Sequence, residues 1–184
     1  MPGCYDRGMP RNVEVKARVY DLPVLRRAVA ALADGPPTVL IQHDTFFEAP
    51  HGRLKLRILA DGTAELISYS RGDVGGPRAS RYLKAAVADP AGLAAVLGDA
   101  LGPGGEVRKR RTLYRRGATR IHLDEVEGLG SFLELEVELE EGQAVADGER
   151  TARELMAQLG IAEENLVATA YVDLLGDRRS KIEE

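Results

Sequence analysis

Asn12-Val13-Glu14-Val15-Lys16-Ala17-Arg18-Val19-Tyr20 alternates strictly between two kinds of side chain. Val13, Val15, Ala17 and Val19 hold the odd positions; Asn12, Glu14, Lys16, Arg18 and Tyr20 hold the even ones. Successive strand residues point to opposite faces, so this stretch reads as a strand with one apolar and one polar face. The pattern recurs along the chain. Residues 53–59 set Leu54, Leu56 and Ile58 against Arg53, Lys55 and Arg57. Residues 131–140 set Leu133, Leu135, Val137 and Leu139 against Glu134, Glu136, Glu138 and Glu140. Further strands are predicted over residues 42–48, 64–70, 80–87, 106–114 and 119–124, eight in all. Asp61-Gly62 and Arg116-Gly117 mark hairpin turns between neighbours. Four helices interrupt the strands, over residues 22–32, 91–101, 151–159 and, more briefly, 169–175. The first three carry apolar stripes: Leu25, Val29 and Leu32; Leu93, Val96, Leu97 and Leu101; Leu155, Met156 and Leu159.

A single strand with a charged face is compatible with a solvated outer surface. Several such strands in a set of eight suggest something else. An antiparallel sheet of that size closes readily into a barrel. The amphipathic helices must bury their stripes, and if they cover the barrel, the apolar strand faces point out to meet them. The charged faces then point into the lumen. Candidates for that lining are Glu14, Lys16, Arg18, Arg53, Lys55, Arg57, Arg78, Lys84, Lys109, Arg111, Arg120, Asp124, Glu134, Glu136 and Glu138. Unpaired buried charge is very costly, so such a lumen stays wet or holds a ligand. Converging arginines suit phosphate oxygens. Clustered carboxylates suit a hard divalent cation such as Mg²⁺ or Mn²⁺. Both together match a metal–polyphosphate substrate.

Composition narrows the class. The chain has 184 residues, 44% of them hydrophobic, and a net charge of −4. A dedicated nucleic-acid binder usually has a basic surplus, so no nucleic-acid partner is expected. The one cysteine, Cys4, rules out an intrachain disulfide and a Cys-based zinc cluster. No apolar run approaches the ~20 residues of a membrane helix, and residues 1–11 lack a signal-peptide core. The expectation is a cytoplasmic α+β protein without a membrane partner: a flexible tail over 1–10, one domain over 11–176, and a charged tail over 177–184.

Several stretches resemble the CYTH family, the triphosphate tunnel metalloenzymes. Asn12-Val13-Glu14-Val15-Lys16 resembles the opening Glu-x-Glu-x-Lys signature, and Gly52-Arg53-Leu54-Lys55-Leu56-Arg57 the basic strand. Lys109-Arg110-Arg111 resembles the later Lys-x-Arg element. Gly130-Ser131-Phe132-Leu133-Glu134-Leu135-Glu136 resembles Gly-x-Phe-x-Glu-x-Glu. Ala170-Tyr171-Val172-Asp173-Leu174-Leu175 resembles the closing Ser-Tyr-x-x-Leu-Leu motif. The wording is nearest to the class IV adenylyl cyclase branch.

The resemblance implies an eight-stranded antiparallel tunnel with helices outside, Mg²⁺ or Mn²⁺, and a small-molecule triphosphate or polyphosphate substrate. Carried over by position, Glu14, Glu134, Glu136 and Asn12 fall at metal-ligand positions. Lys16, Arg53, Lys55, Arg57, Lys109 and Arg111 fall at phosphate-holding positions, with Arg78 and Arg120 as weaker transfers. Lys16, Arg57 and Asp124 are expected to act in catalysis, Asp124 by positioning metal or water. Asn12 replaces the first glutamate of the signature, removing one negative charge and a base.

The implied reaction is hydrolysis of a phosphoanhydride bond, of triphosphatase type. Two alternatives stay open: a class IV adenylyl cyclase, and a non-catalytic nucleotide or polyphosphate-binding module. A homodimer is compatible with the sequence. His43 and His51 read as surface or edge residues, and His122 as a hydrogen-bonded lumen residue. Tyr82 and Tyr171 read as packing residues. Gly72-Asp73-Val74-Gly75-Gly76-Pro77 lacks the Gly-Lys-Ser/Thr ending of a P-loop and reads as a hairpin loop.

Overall fold

A computed structural model describes residues 10–71 and 76–180 of the chain. Cys4, most of the tail over 1–10, residues 72–75 of the glycine-rich loop and the last four residues lie outside the described residues. Eight strands form one closed antiparallel barrel: β1 (Arg11–Val19), β2 (Thr38–Phe47), β3 (Arg53–Leu59), β4 (Ala64–Arg71), β5 (Arg78–Ala86), β6 (Pro103–Arg116), β7 (Thr119–Val126) and β8 (Gly130–Leu139). Their order around the wall is β1-β5-β4-β3-β2-β6-β7-β8. Among the described residues four α-helices accompany them: α1 (Leu22–Leu32), α2 (Pro90–Leu101), α3 (Val145–Gln158) and α4 (Tyr171–Ser180). No described helix is long and apolar enough to cross a membrane.

The alternation sorts the faces as expected. Val13 and Val15 of β1 and Leu133, Leu135 and Val137 of β8 point outward. They pack with Leu25 and Val29 of α1 and with Ala152, Leu155 and Met156 of α3. A second outer cluster sets Phe47, Leu56 and Ala64 against Leu93, Leu97 and Leu101 of α2. The barrel closes where β1 pairs with β8, with Glu14 opposite Glu136 and Lys16 opposite Glu134. One end of the lumen is stoppered. Phe46, Val107 and Phe132, which face inward, pack against Ala170, Tyr171 and Val172 around the start of α4.

Local signals explain the connections. Asp21 and Asp89 accept hydrogen bonds from the amides of Val24 (3.0 Å) and Gly92 (2.9 Å), capping α1 and α2. In the β3–β4 hairpin, Asp61 accepts from the Thr63 amide and hydroxyl at 2.9 and 2.7 Å, and Gly62 supplies a φ of 84°. Several boundaries differ from expectation: α3 starts at Val145 rather than 151, β6 at Pro103 rather than 106 and β5 at Arg78 rather than 80. β2 starts at Thr38 rather than 42, because Val39, Leu40 and Ile41 continue its pairing with β6. α4 runs through Ser180, so part of the predicted charged tail is helical.

Candidate active site

The lumen holds a cavity of about 280 Å³. Lys16, Lys55, Arg57, Lys109, Arg111 and Arg120 line it, together with Asn12, Glu14, Glu134 and Glu136. Strand register decides this company. Arg57 stands opposite Asp44 on β2, Arg111 opposite Asp124 on β7, and Arg120 opposite Glu136 on β8. Neighbouring inward positions across a ladder lie close enough for direct pairing.

Two matching assemblies hold the basic groups. Asp44 accepts from Arg57 Nε and Nη2 at 2.7 Å each and from Lys55 Nζ at 2.8 Å. Asp124 accepts from Arg111 Nε at 2.7 Å and Nη2 at 2.6 Å; Lys109 Nζ stands 3.4 Å away. Asp44 is 1% exposed and Asp124 wholly buried. Each aspartate grips its arginine as a fork, fixing the guanidinium plane and keeping the rest of the group available. Burial alone would raise the Asp44 carboxyl, but the charge of Lys55 and the bonds and charge of Arg57 hold it well below the usual carboxylate range. Asp124 is likewise held low, with burial opposed by Arg111 and Lys109. The lysines respond oppositely. Burial, with repulsion from Arg57, pushes Lys55 down to about 7, and burial with repulsion from Arg111 lowers Lys109.

Glu134 and Glu136 stand on β8, next to the Arg111 fork and Arg120. Arg111 Nη2 also donates to Glu134, and Arg120 Nε donates to Glu136 at 2.9 Å. Glu134 stays ionised although burial opposes it, chiefly through the charge of Arg111, and Glu136 is paired with Arg120. His122 reaches the same place. Its Nδ1 lies 3.7 Å from an oxygen of each glutamate. One donor atom from each of the three residues falls within 4.8 Å of the others. Burial, with the charge of Arg111, lowers the imidazole pKa and favours its neutral form. The buried Asn12 Oδ1 has no hydrogen-bond partner. Two ionised carboxylates, a neutral imidazole and an unpartnered amide oxygen make a donor set that fits a divalent cation.

Three expected site residues stand elsewhere. Asp124, expected to position metal or water, is absent from the cavity wall. Arg111 covers it, and the Tyr171 hydroxyl donates to it from behind at 3.1 Å. Arg53 is gripped by Asp173 of α4 and does not line the cavity. Arg78 stands on the lumen face of β5, opposite Glu14, but is buried short of the cavity, donating to the Ala168 carbonyl at 2.9 Å with Glu14 3.6 Å away. Lys16 lines the cavity but also donates to the Thr169 carbonyl and lies 4.2 Å from the centre of the Tyr171 ring. Of the wider lumen set, Arg18 donates to the Leu129 carbonyl and Glu138 pairs with Arg120. His43 pairs with Glu106, away from the cavity. Asp44 and Gln42, both lumen residues, were not foreseen.

The CYTH domain profile matches residues 10–171. The chain belongs to the CYTH family. Among relatives, this CYTH protein is 28% identical to the adenylate cyclase CyaB of Aeromonas hydrophila over 168 residues, 87% of this chain and 86% of that one. A Methanocaldococcus jannaschii adenylate cyclase homologue, MJ0240, is 31% identical over 70 residues, 38% of this chain and 40% of that protein. PH1012 from Pyrococcus horikoshii OT3 shares the fold with a TM-score of 0.79 at 24% identity, covering 89% of this chain and 98% of its own. A Hippeastrum adenylyl cyclase homologue with a dominant triphosphatase activity superposes with a TM-score of 0.62 at 18% identity, covering 92% and 96%.

Proposed function

We propose that this CYTH protein is a divalent-metal-dependent triphosphatase, hydrolysing a phosphoanhydride bond of a nucleoside triphosphate or other polyphosphate held in the tunnel. The observation that carries the reading is the pair of arginine forks, Arg57 on Asp44 and Arg111 on Asp124, facing the same cavity as Glu134 and Glu136. Fixed guanidinium groups stabilise charge on transferring phosphoryl oxygens without reorganising during the reaction. Lys55 and Lys109 add point charges beside the forks, and Lys16 a third from β1. Arg120 holds Glu136 in place. Glu14, Glu134, Glu136 and the Asn12 amide oxygen are the groups that would hold Mg²⁺ or Mn²⁺. When bound, that ion would neutralise phosphate charge and polarise the phosphoryl group under attack.

Adenylyl cyclase activity is the second reading, favoured by the match to CyaB along most of both chains. The same groups serve either reaction, because the register of the triphosphate decides which phosphorus is in line. The test is a panel of triphosphates, inorganic tripolyphosphate included, with Mg²⁺ or Mn²⁺. Orthophosphate release that stops in chelator is expected. Cyclic AMP and pyrophosphate from ATP would replace hydrolysis with cyclisation. Turnover that persists in chelator would overturn the metal-dependent reading.

A further inference from the structure

We propose that His122 Nδ1 is a ligand of the metal site, completing a His–Glu–Glu set with Glu134 and Glu136 that favours a first-row transition ion such as Mn²⁺ over Mg²⁺. This rests on the reading of the two glutamates as metal-holding groups and adds a ligand and a preference to it.

The argument starts from an orphaned atom. The His122 side chain is 4% exposed, and its Nδ1 has no hydrogen-bond partner. A buried nitrogen left unpaired carries its full desolvation cost, so its position needs a reason. Glu134 Oε2 and Glu136 Oε1 each lie 3.7 Å from it, beyond hydrogen-bonding range. Ligand bonds of about 2.0–2.2 Å set donor atoms about 3.0–3.5 Å apart around one ion. A contraction of a few tenths of an ångström would therefore bring both close contacts to coordinating separations.

The wall is built to hold this arrangement. His122 and Glu134 are directly opposite on β7 and β8, and Glu136 is the next inward residue of β8. The second oxygen of Glu136 is tied to Arg120, leaving Oε1 turned toward the imidazole. The donor chemistry then sets the preference. Mg²⁺ takes oxygen ligands and gives up its waters reluctantly, whereas imidazole suits ions later in the Irving–Williams order.

Pulsed electron paramagnetic resonance on the whole protein loaded with Mn²⁺, without substrate, tests this. Nitrogen hyperfine coupling is expected, and it should change from the ¹⁴N to the ¹⁵N pattern when the histidines alone carry ¹⁵N. His122→Gln should abolish the coupling and weaken Mn²⁺ binding by about tenfold or more, while Mg²⁺ binding changes by less than about threefold. If His122→Gln fails to fold, isotope labelling of the wild-type protein still decides the ligand. Manganese bound without nitrogen coupling would overturn the histidine ligand and leave the glutamate reading standing. Failure of the wild type to bind Mn²⁺ at all would overturn both. Equal losses of Mn²⁺ and Mg²⁺ affinity would overturn the preference.

Discussion

At the scale of single residues, Asp44 and Asp124 decide how the basic tunnel is held. Each is a buried carboxylate whose charge is matched by an arginine fork and a lysine. Removing one partner of a buried ion pair leaves the other uncompensated, at about 3–5 kcal/mol. Asp44→Asn is therefore expected to destabilise the protein by about that amount, read by denaturant unfolding; a loss below about 1 kcal/mol would show that Lys55 and Arg57 are solvated. Lys55 carries a second consequence. Its pKa is near 7 in the folded protein against an ordinary 10.5, so between those values the unfolded chain binds more protons. The contribution of Lys55 to stability accordingly rises with pH across that window and is flat below it. A bound polyanion beside the ammonium restores the charged form. Binding of tripolyphosphate at pH 8 should thus take up protons, seen as calorimetric enthalpies that vary with the ionisation heat of the buffer. Lys55→Met should remove most of that dependence, with Lys109 supplying the remainder. Enthalpies independent of buffer would mean that neither lysine gains a proton.

At the scale of elements, α3 covers the seam where β1 meets β8, and Gly148 is where it comes closest. A methyl group there would lie 2.8 Å from both Val13 Cγ2 and Leu139 Cδ2. Alanine gains about 1 kcal/mol over glycine in a helix, but overpacking costs about 1–3 kcal/mol. Val13 is fully buried on a strand paired on both sides, so it cannot yield cheaply. Gly148→Ala should therefore be net destabilising and lower the melting temperature; an unchanged or raised value would show that α3 lifts away without cost. Sequence alternation made β1, β3 and β8 legible, because each buries one face under helices and turns the other to the lumen. β2 hid its contribution. Val39, Leu40 and Ile41 are apolar in succession, so no period singles out the face that carries Gln42 and Asp44. Asp124 was legible as a strand carboxylate, but its depth was not. That depends on Arg111 folding over it from the neighbouring strand β6 and on Tyr171 backing it from α4, 47 residues away in sequence. The partner of Arg53 was hidden for a similar reason: α4 brings Asp173 to it, 120 residues away in sequence.

At the scale of the whole molecule, charge is separated. The chain carries −4, yet the cavity wall presents Lys16, Lys55, Arg57, Lys84, Lys109, Arg111, Arg115 and Arg120 against Glu14, Asp44, Glu65, Glu134 and Glu136. A concave basic lumen with low-dielectric walls focuses its field and concentrates polyanions there. The two forks are alike in what they offer a phosphate but unlike in what depends on them. Arg57 serves one carboxylate, Asp44, which Lys55 also neutralises. Arg111 serves two, Asp124 and Glu134, and its own charge is reinforced by both despite burial. Hydrogen bonds to charged groups are worth about 1.5–3 kcal/mol each, so losing either arginine should weaken triphosphate binding about tenfold to a hundredfold. Stability should separate them. Arg57→Ala removes one of several crowded cations and leaves Asp44 paired. Arg111→Ala leaves Glu134 without its arginine and Asp124 with Lys109 at the longer distance of 3.4 Å, and should unfold at clearly lower denaturant. Calorimetric titration with a non-hydrolysable triphosphate, paired with denaturant unfolding of the same samples, reads both quantities. Affinities equal to wild type in both variants would make the forks structural. Equal stability losses would mean that Glu134 and Asp124 do not depend on Arg111 as their geometry indicates.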